Sequence, residues 1–180
     1  MNLHAIDEAG FALNAQFIAS PNFDARPKNE LSLIVIHNIS LPPSRYGGKG
    51  IIELFTNQLN PDEHPYYADI YTQKVSAHFL IRRHGELIQL VSCLNRAWHA
   101  GVSHWQNRER CNDFSVGIEL EGSDFDAFEP AQYQTLKSLI ASLSSTYPIQ
   151  AIVGHSDIAL GRKTDPGPYF DWQQIETKRF

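Results

Sequence analysis

The run Leu31-Ser32-Leu33-Ile34-Val35-Ile36-His37 constrains the fold more than any other stretch of the chain. So short a run of branched apolar side chains reads as a strand buried on both faces, and such a strand needs a packed layer above and below it. It ends on a histidine. A second run, Ile149 to Val153, closes the same way on Gly154-His155. Both imidazoles therefore stand at the carboxyl edge of a sheet, where ligand sites tend to form. Between the two runs, Phe114, Val116, Ile118 and Leu120 alternate with Ser115, Gly117, Glu119 and Glu121. That period predicts a strand whose Glu119 faces away from the apolar side, beside a glycine that leaves space.

The covering layers are legible on either side of these strands. Ile51, Leu54, Phe55 and Leu59 fall at helical spacing after a loop rich in proline and glycine. Pro130 opens a helix whose Tyr133, Leu136, Ile140, Leu143 and Tyr147 form one stripe. The segments 78–82 and 86–91 flank His84-Gly85 and predict a hairpin. Residues 1–30, interrupted by Pro21 and Pro27, read as an irregular N-terminal segment before a domain of residues 31–180, and residues 60–76 read as an exposed loop. Asp171 predicts a cap for a last helix through Trp172 and Ile175. A hairpin in mid-chain breaks any regular β-α-β rhythm. The expected fold is therefore α/β of the mixed (α+β) kind: one domain with a mixed central sheet flanked by helices. With 180 residues, 42% of them hydrophobic, the chain can bury one full core.

A formal net charge of -5 and the lack of a Lys/Arg run exclude nucleic acid and acidic membranes as expected partners and favour a small polar substrate. Met1 to Glu8 lack the basic and apolar regions of an export signal, and no stretch approaches a membrane span, so a cytoplasmic location is expected. Cys93 and Cys111 are expected to be reduced and buried.

The chemistry concentrates after His155, where Asp157, Lys163 and Asp165 precede a stiff Pro166-Gly167-Pro168. An imidazole and a carboxylate on rigid backbone suit zinc, and His37, which also ends an apolar run, is a candidate for the further ligand, although spacing alone leaves a shared metal open. Spacing leaves both Asp157 and Asp165 open as the carboxylate. His4, His64, His84 and His104 sit in polar or turn contexts and are expected at the surface, while His78, opening a strand, is expected to be packed. Glu121, two residues beyond Glu119 on the same face, reads as a rim residue.

Several segments together resemble the AmpD-type N-acetylmuramoyl-L-alanine amidases. They are Ile34-Val35-Ile36-His37-Asn38-Ile39-Ser40-Leu41-Pro42-Pro43, Ser76-Ala77-His78-Phe79-Leu80-Ile81-Arg82-Arg83, Arg96-Ala97-Trp98-His99-Ala100-Gly101, Arg108 to Ser115, Gly117 to Gly122, and the stretch from Ile152 to Tyr169. The likeness runs from about residue 30 to 172. It implies one zinc per chain held by His37, His155 and Asp165, with Glu119 and Lys163 as catalytic residues. Relatives outside this branch carry a cysteine where Asp165 stands. Asn38, Tyr66, Trp98 and Arg110 align with positions resembling the binding cleft, and Arg110 or Lys74 would read peptide carboxylates. The implied reaction cuts the amide between 1,6-anhydro-N-acetylmuramic acid and L-alanine in small muropeptides, by a monomeric enzyme of peptidoglycan recycling whose action limits the muropeptide signal for β-lactamase induction. A non-catalytic peptidoglycan-binding module, a wall-acting amidase and a zinc endopeptidase are the competing readings. The sequence departs from the family pattern at Ala159-Leu160-Gly161, usually Ala-Pro-Gly, and at His84, which replaces an acidic hairpin residue.

Overall fold

The computed structural model describes residues 4–175. In chain order its elements are β1 (Gln16–Phe17), β2 (Phe23–Ala25), β3 (Leu33–Ile39), α1 (Gly50–Phe55), α2 (Pro65–Ile70), β4 (Phe79–Ile81) and β5 (Leu87–Gln89). They continue with β6 (Asn95–Ala97), β7 (His104–Trp105), β8 (Arg108–Glu109), β9 (Ser115–Glu121), α3 (Pro130–Thr146), β10 (Ala151–Gly154) and α4 (His155–Ile158). One sheet runs in the order β1-β5-β4-β9-β3-β10. Only β4 and β5, the expected hairpin, pair antiparallel in it; every other neighbouring pair is parallel. The mixed sheet anticipated from the mid-chain hairpin is thus present.

The unbroken apolar runs follow from this layout, because β3 and β9 lie inside the sheet with layers on both faces. On one face Ile34, Ile36, Phe79, Val116 and Ile118 pack against Leu136, Leu139 and Leu143 of α3. On the other, Leu80, Ile88 and Leu90 meet Ile51, Leu54 and Phe55 of α1, while Leu33, Val35 and Val153 meet Phe114 and Ile158. Burial of each such side chain stabilises the fold by about 1.5–3 kcal/mol, and truncating Leu136, which is fully buried, to alanine costs about 2–5 kcal/mol once the cavity is included. Gln132 ties α3 to the sheet: its side-chain oxygen accepts the Glu129 N–H and its amide donates to the carbonyls of Ile81 and Glu121.

Several expectations need correction. The segment 1–30 is not wholly irregular. Phe17 and Gln16 extend the main sheet beside Gln89 and Ile88, and β2 pairs with β6, because backbone pairing can recruit pieces too short to show a period. Residues 60–76 are not all loop either. Pro65 sits in the first turn of α2, and the His64 ring accepts the Tyr66 N–H as a cap, a role the sequence disguised by using histidine. β3 begins at Leu33 rather than Leu31 and runs past His37 to Ile39, and His155 opens the short helix α4. His4 is buried, with Nδ1 3.5 Å from the Leu13 carbonyl, whereas His84 and His104 are exposed as expected. Asp171 does cap a turn, a 3-10 segment Trp172–Gln174, by accepting the Gln173 N–H. The last part of the expected 31–180 domain, residues 176–180, lies outside the described residues. Cys93 and Cys111 are both free and buried. No described helix is long and apolar enough to cross a membrane.

Candidate metal centre

Three adjacent parallel strands deliver the site to one edge of the sheet. His37 leaves β3, His155 follows directly on β10, and Glu119 stands opposite His37 in the β3–β9 register. Paired residues of neighbouring strands point to the same face, so register alone sets Glu119 beside His37. Asp165 arrives on the loop after α4. Its carbonyl accepts the Ser156 N–H at 2.9 Å, and the Asn38 amide donates to the Pro166 carbonyl at 3.0 Å and to Asp124 at 2.7 Å. The ring of Pro166 presses so closely on Gly154 that an added Cβ would lie 2.8 Å from its Cδ. Glycine at the end of β10 is what lets the Asp165 loop fold back onto the sheet.

His37 Nδ1, His155 Nδ1 and Asp165 Oδ2 form a triangle with every side 3.0 Å. His155 Nε2 lies 3.1 Å from the Ala100 carbonyl, which can only accept. The His155 proton therefore sits on Nε2, and Nδ1 offers its lone pair to the triangle. Three electron-rich atoms this close are stable only around protons or a cation. Their spacing approaches the roughly 3.3 Å between ligands of a tetrahedral zinc with bonds of about 2.0–2.1 Å. Among the described residues, these three form the group of histidine, cysteine and acidic side chains able to converge on one ion. The donor set, two imidazoles and one carboxylate, fits a three-ligand catalytic centre better than a closed four-ligand structural one.

Electrostatics support this division of labour. Burial pushes His37 down to about 4, only partly offset by Asp165, so its ring is neutral at physiological pH and available as a ligand. Burial alone would raise Asp165, but the ring nitrogens of His155 and His37 outweigh it and hold the carboxyl below the usual range. Glu119 behaves oppositely: burial first, then the neighbouring Asp165 charge, lifts it well above an ordinary glutamate, with Lys163 opposing. Its Oε2 is buried with no hydrogen-bond partner among the described residues. An unsatisfied carboxylate oxygen beside a candidate metal centre is the pattern of a group reserved for proton transfer. Lys163 is exposed, and its charge acts on both His37 and Glu119.

Of the two candidate carboxylates, Asp157 is spent elsewhere: its Oδ2 accepts the Gly154 N–H at 2.7 Å and shapes the turn into α4. Glu121 is no rim residue. It is buried, bridges to Arg82 at 3.0 Å and accepts the backbone N–H groups of Gly47 and Arg83, so it anchors the loop before α1. The expected cleft residues are placed unevenly. Arg110, in a left-handed conformation with φ 60, lines a cavity of about 530 Å³ with Gly101, Ile158 and Leu160, next to the helix that His155 opens. Its guanidinium is largely exposed and lies 3.3 Å from Asp113. Trp98 is half-buried and Tyr66 is exposed on α2. Asn38 uses its amide to hold the Asp165 loop. Sequence reasoning overlooked His99, which lies in a stretch without periodicity, is buried, and reaches His37 Nε2 at 3.0 Å.

Residues 27–168 match the family model of N-acetylmuramoyl-L-alanine amidases. The chain is 54% identical over 171 residues to the 1,6-anhydro-N-acetylmuramyl-L-alanine amidase AmpD of Escherichia coli K12, covering 93% of each chain. A crystal structure of a selenomethionine AmpD derivative superposes with a TM-score of 0.92 at 52% identity, covering 94% of this chain and 96% of the other. The Escherichia coli amidase AmiD, solved with the substrate anhydro-N-acetylmuramic acid-L-Ala-D-γ-Glu-L-Lys, superposes at 0.60 with 30% identity over 95% of this chain and 64% of AmiD.

Proposed function

The chain belongs to the N-acetylmuramoyl-L-alanine amidase family, and from that membership we propose a zinc-dependent enzyme that hydrolyses the amide between 1,6-anhydro-N-acetylmuramic acid and L-alanine in cytosolic peptidoglycan recycling. The observation that carries the reading is the triangle of His37, His155 and Asp165 with the unpartnered, buried carboxyl of Glu119 beside it. Binding modules built on this fold would have no use for either.

His37, His155 and Asp165 would hold the ion. Zinc, when bound, supplies a Lewis acid and makes water nucleophilic near neutral pH. Glu119 takes the proton of the attacking water and returns it to the departing alanine nitrogen, so that the C–N bond breaks to give a lactyl carboxylate and a free amino terminus. Its raised affinity for protons matches that shuttle. Lys163, two residues before Asp165, opposes the negative charge that grows on the amide oxygen. Arg110 meets a stem-peptide carboxylate, and Trp98 and Tyr66 border the sugar. A carboxylate-reading arginine gives selectivity, because the wrong ligand would leave its charge unpaired.

Mass spectrometry of the products from anhydro-muramyl tri- and tetrapeptide, with and without a zinc chelator, tests the proposal. Free peptide and anhydro-sugar should appear and should vanish on chelation. Cleavage inside the stem peptide would make it an endopeptidase, full activity after chelation would remove the metal, and equal rates on intact sacculi would contradict the recycling role.

A further inference from the structure

We propose that His99 is a positioning residue for the metal centre: it accepts the Nε2–H of His37 on its own Nδ1 and passes its Nε2–H to Ser115, which keeps the Nδ1 lone pair of His37 turned toward His155 and Asp165. The inference rests on the metal reading above and extends it to residues that never touch the ion or the substrate.

The geometry is a line of buried contacts. His37 Nε2 lies 3.0 Å from His99 Nδ1, and His99 Nε2 lies 3.1 Å from the Ser115 hydroxyl. The rings of His37 and His99 meet edge to face, centroids 5.1 Å apart and planes at 84°. Two proton arrangements satisfy this line. In one, His37 donates to His99 and His99 donates to Ser115. In the other the protons run backwards from Ser115, and His37 then carries its proton on Nδ1, where no metal can bind. A ligand set needs the first. His155 is settled by a carbonyl, since Ala100 can only accept. Among the described residues no carbonyl meets the His37 ring in this way; its far nitrogen meets another imidazole, so its tautomer depends on how His99 is itself held.

His99 is held on every side. Its backbone N–H and that of Ala100 both donate to Asn112 Oδ1. The ring of His78 packs against it at 5.7 Å, and His78 Nδ1 in turn accepts the Gly117 N–H. Most tellingly, the ring fills the space above Gly117, where a Cβ would stand 2.4 Å from His99 Cγ. β9 thus gives up a side chain to admit His99 and, two residues earlier on the same face, offers Ser115 as its acceptor.

Zinc affinity, measured by competition with a chromophoric chelator, tests the assignment alongside thermal melting of the zinc-free protein. His99→Phe keeps the ring volume and removes the acceptor; it should bind zinc about tenfold to a hundredfold more weakly, the range for losing an outer partner of a metal histidine. His99→Gln, which can accept from His37 and donate to Ser115, should recover most of that loss. If His99→Phe does not fold, Ser115→Ala carries the test, with a weakening of about tenfold expected because the relay loses its far end while the packing stays intact. Wild-type affinity in a folded His99→Phe, or in Ser115→Ala when that variant decides, overturns the proposal. A wild-type protein that binds no zinc would instead overturn the metal reading itself.

Discussion

Gly117→Ala adds a single methyl group in the middle of β9, and the structure lets its cost be worked out. The new Cβ would lie 2.4 Å from His99 Cγ, 2.6 Å from Nδ1 and 2.7 Å from Cδ2. Ordinary carbon contacts begin at about 3.5 Å, so the ring must retreat by about 1 Å. It has nowhere to go without stretching the 3.0 Å bond to His37 or the 3.1 Å bond to Ser115. Overpacking of this kind costs about 1–3 kcal/mol, and two weakened hydrogen bonds add about 1 kcal/mol each. Alanine recovers about 0.5–1 kcal/mol, because glycine is a poor strand residue. The net loss is about 2–4 kcal/mol, which in a domain of this size lowers the melting temperature by about 4–16 °C. Differential scanning calorimetry of the zinc-free protein reads that shift directly. An unchanged or higher melting temperature would show that the His99 seat is looser than the contacts imply, and the strand propensity of alanine would then be the winning effect.

Two further outcomes are expected. Glu119→Gln retains shape but loses the proton shuttle, so kcat should fall about a hundredfold or more with zinc content unchanged; loss of bound zinc in this variant would make Glu119 a ligand. Stability of the zinc-free protein should fall on mild acidification, because His37 (about 4), His78 (about 3) and His99 (well below its ordinary value), all depressed by burial, bind protons more readily unfolded. Their contribution is complete above about pH 6.5 and is lost as pH falls toward their folded values. Glu119, raised by burial, works the other way above about pH 4.5, but three depressed imidazoles oppose one raised carboxyl and the balance is a net loss of stability from about pH 6.5 to 5. Equal denaturation midpoints at pH 7 and pH 5 would contradict this account.

The residues proposed as metal ligands were legible as candidates because each sits at a change of pattern: His37 and His155 close apolar runs, and Asp165 leads into a stiff proline turn. The helix from Pro130 and the hairpin about Gly85 were legible for the same reason, since period and turn chemistry are local. What the sequence hid was what faces a given residue. Alternation put Glu121 on the same side as Glu119 but could not show that Arg82 and two backbone N–H groups await it. Gly117 signalled space without naming the ring that fills it. His99 lies in a stretch with no period, and its partners are 62 and 16 residues distant along the chain. β1, two residues long, is defined by its neighbour β5 rather than by any preference of its own.

The order of synthesis gives the ligand triangle a further meaning. His37 emerges early from the ribosome, yet its partners follow 118 and 128 residues later. Until β10 is made, β3 has an open outer edge and His37 lacks both partners, so under the proposed ligand set a chain cut before β10 should not hold zinc there. Closing a loop of that span costs about 4 kcal/mol in chain entropy, which must be met by the pairing of β10 with β3 before the ligands converge. With the proposed ligand set, an ion could be held only once the chain has been made through Asp165.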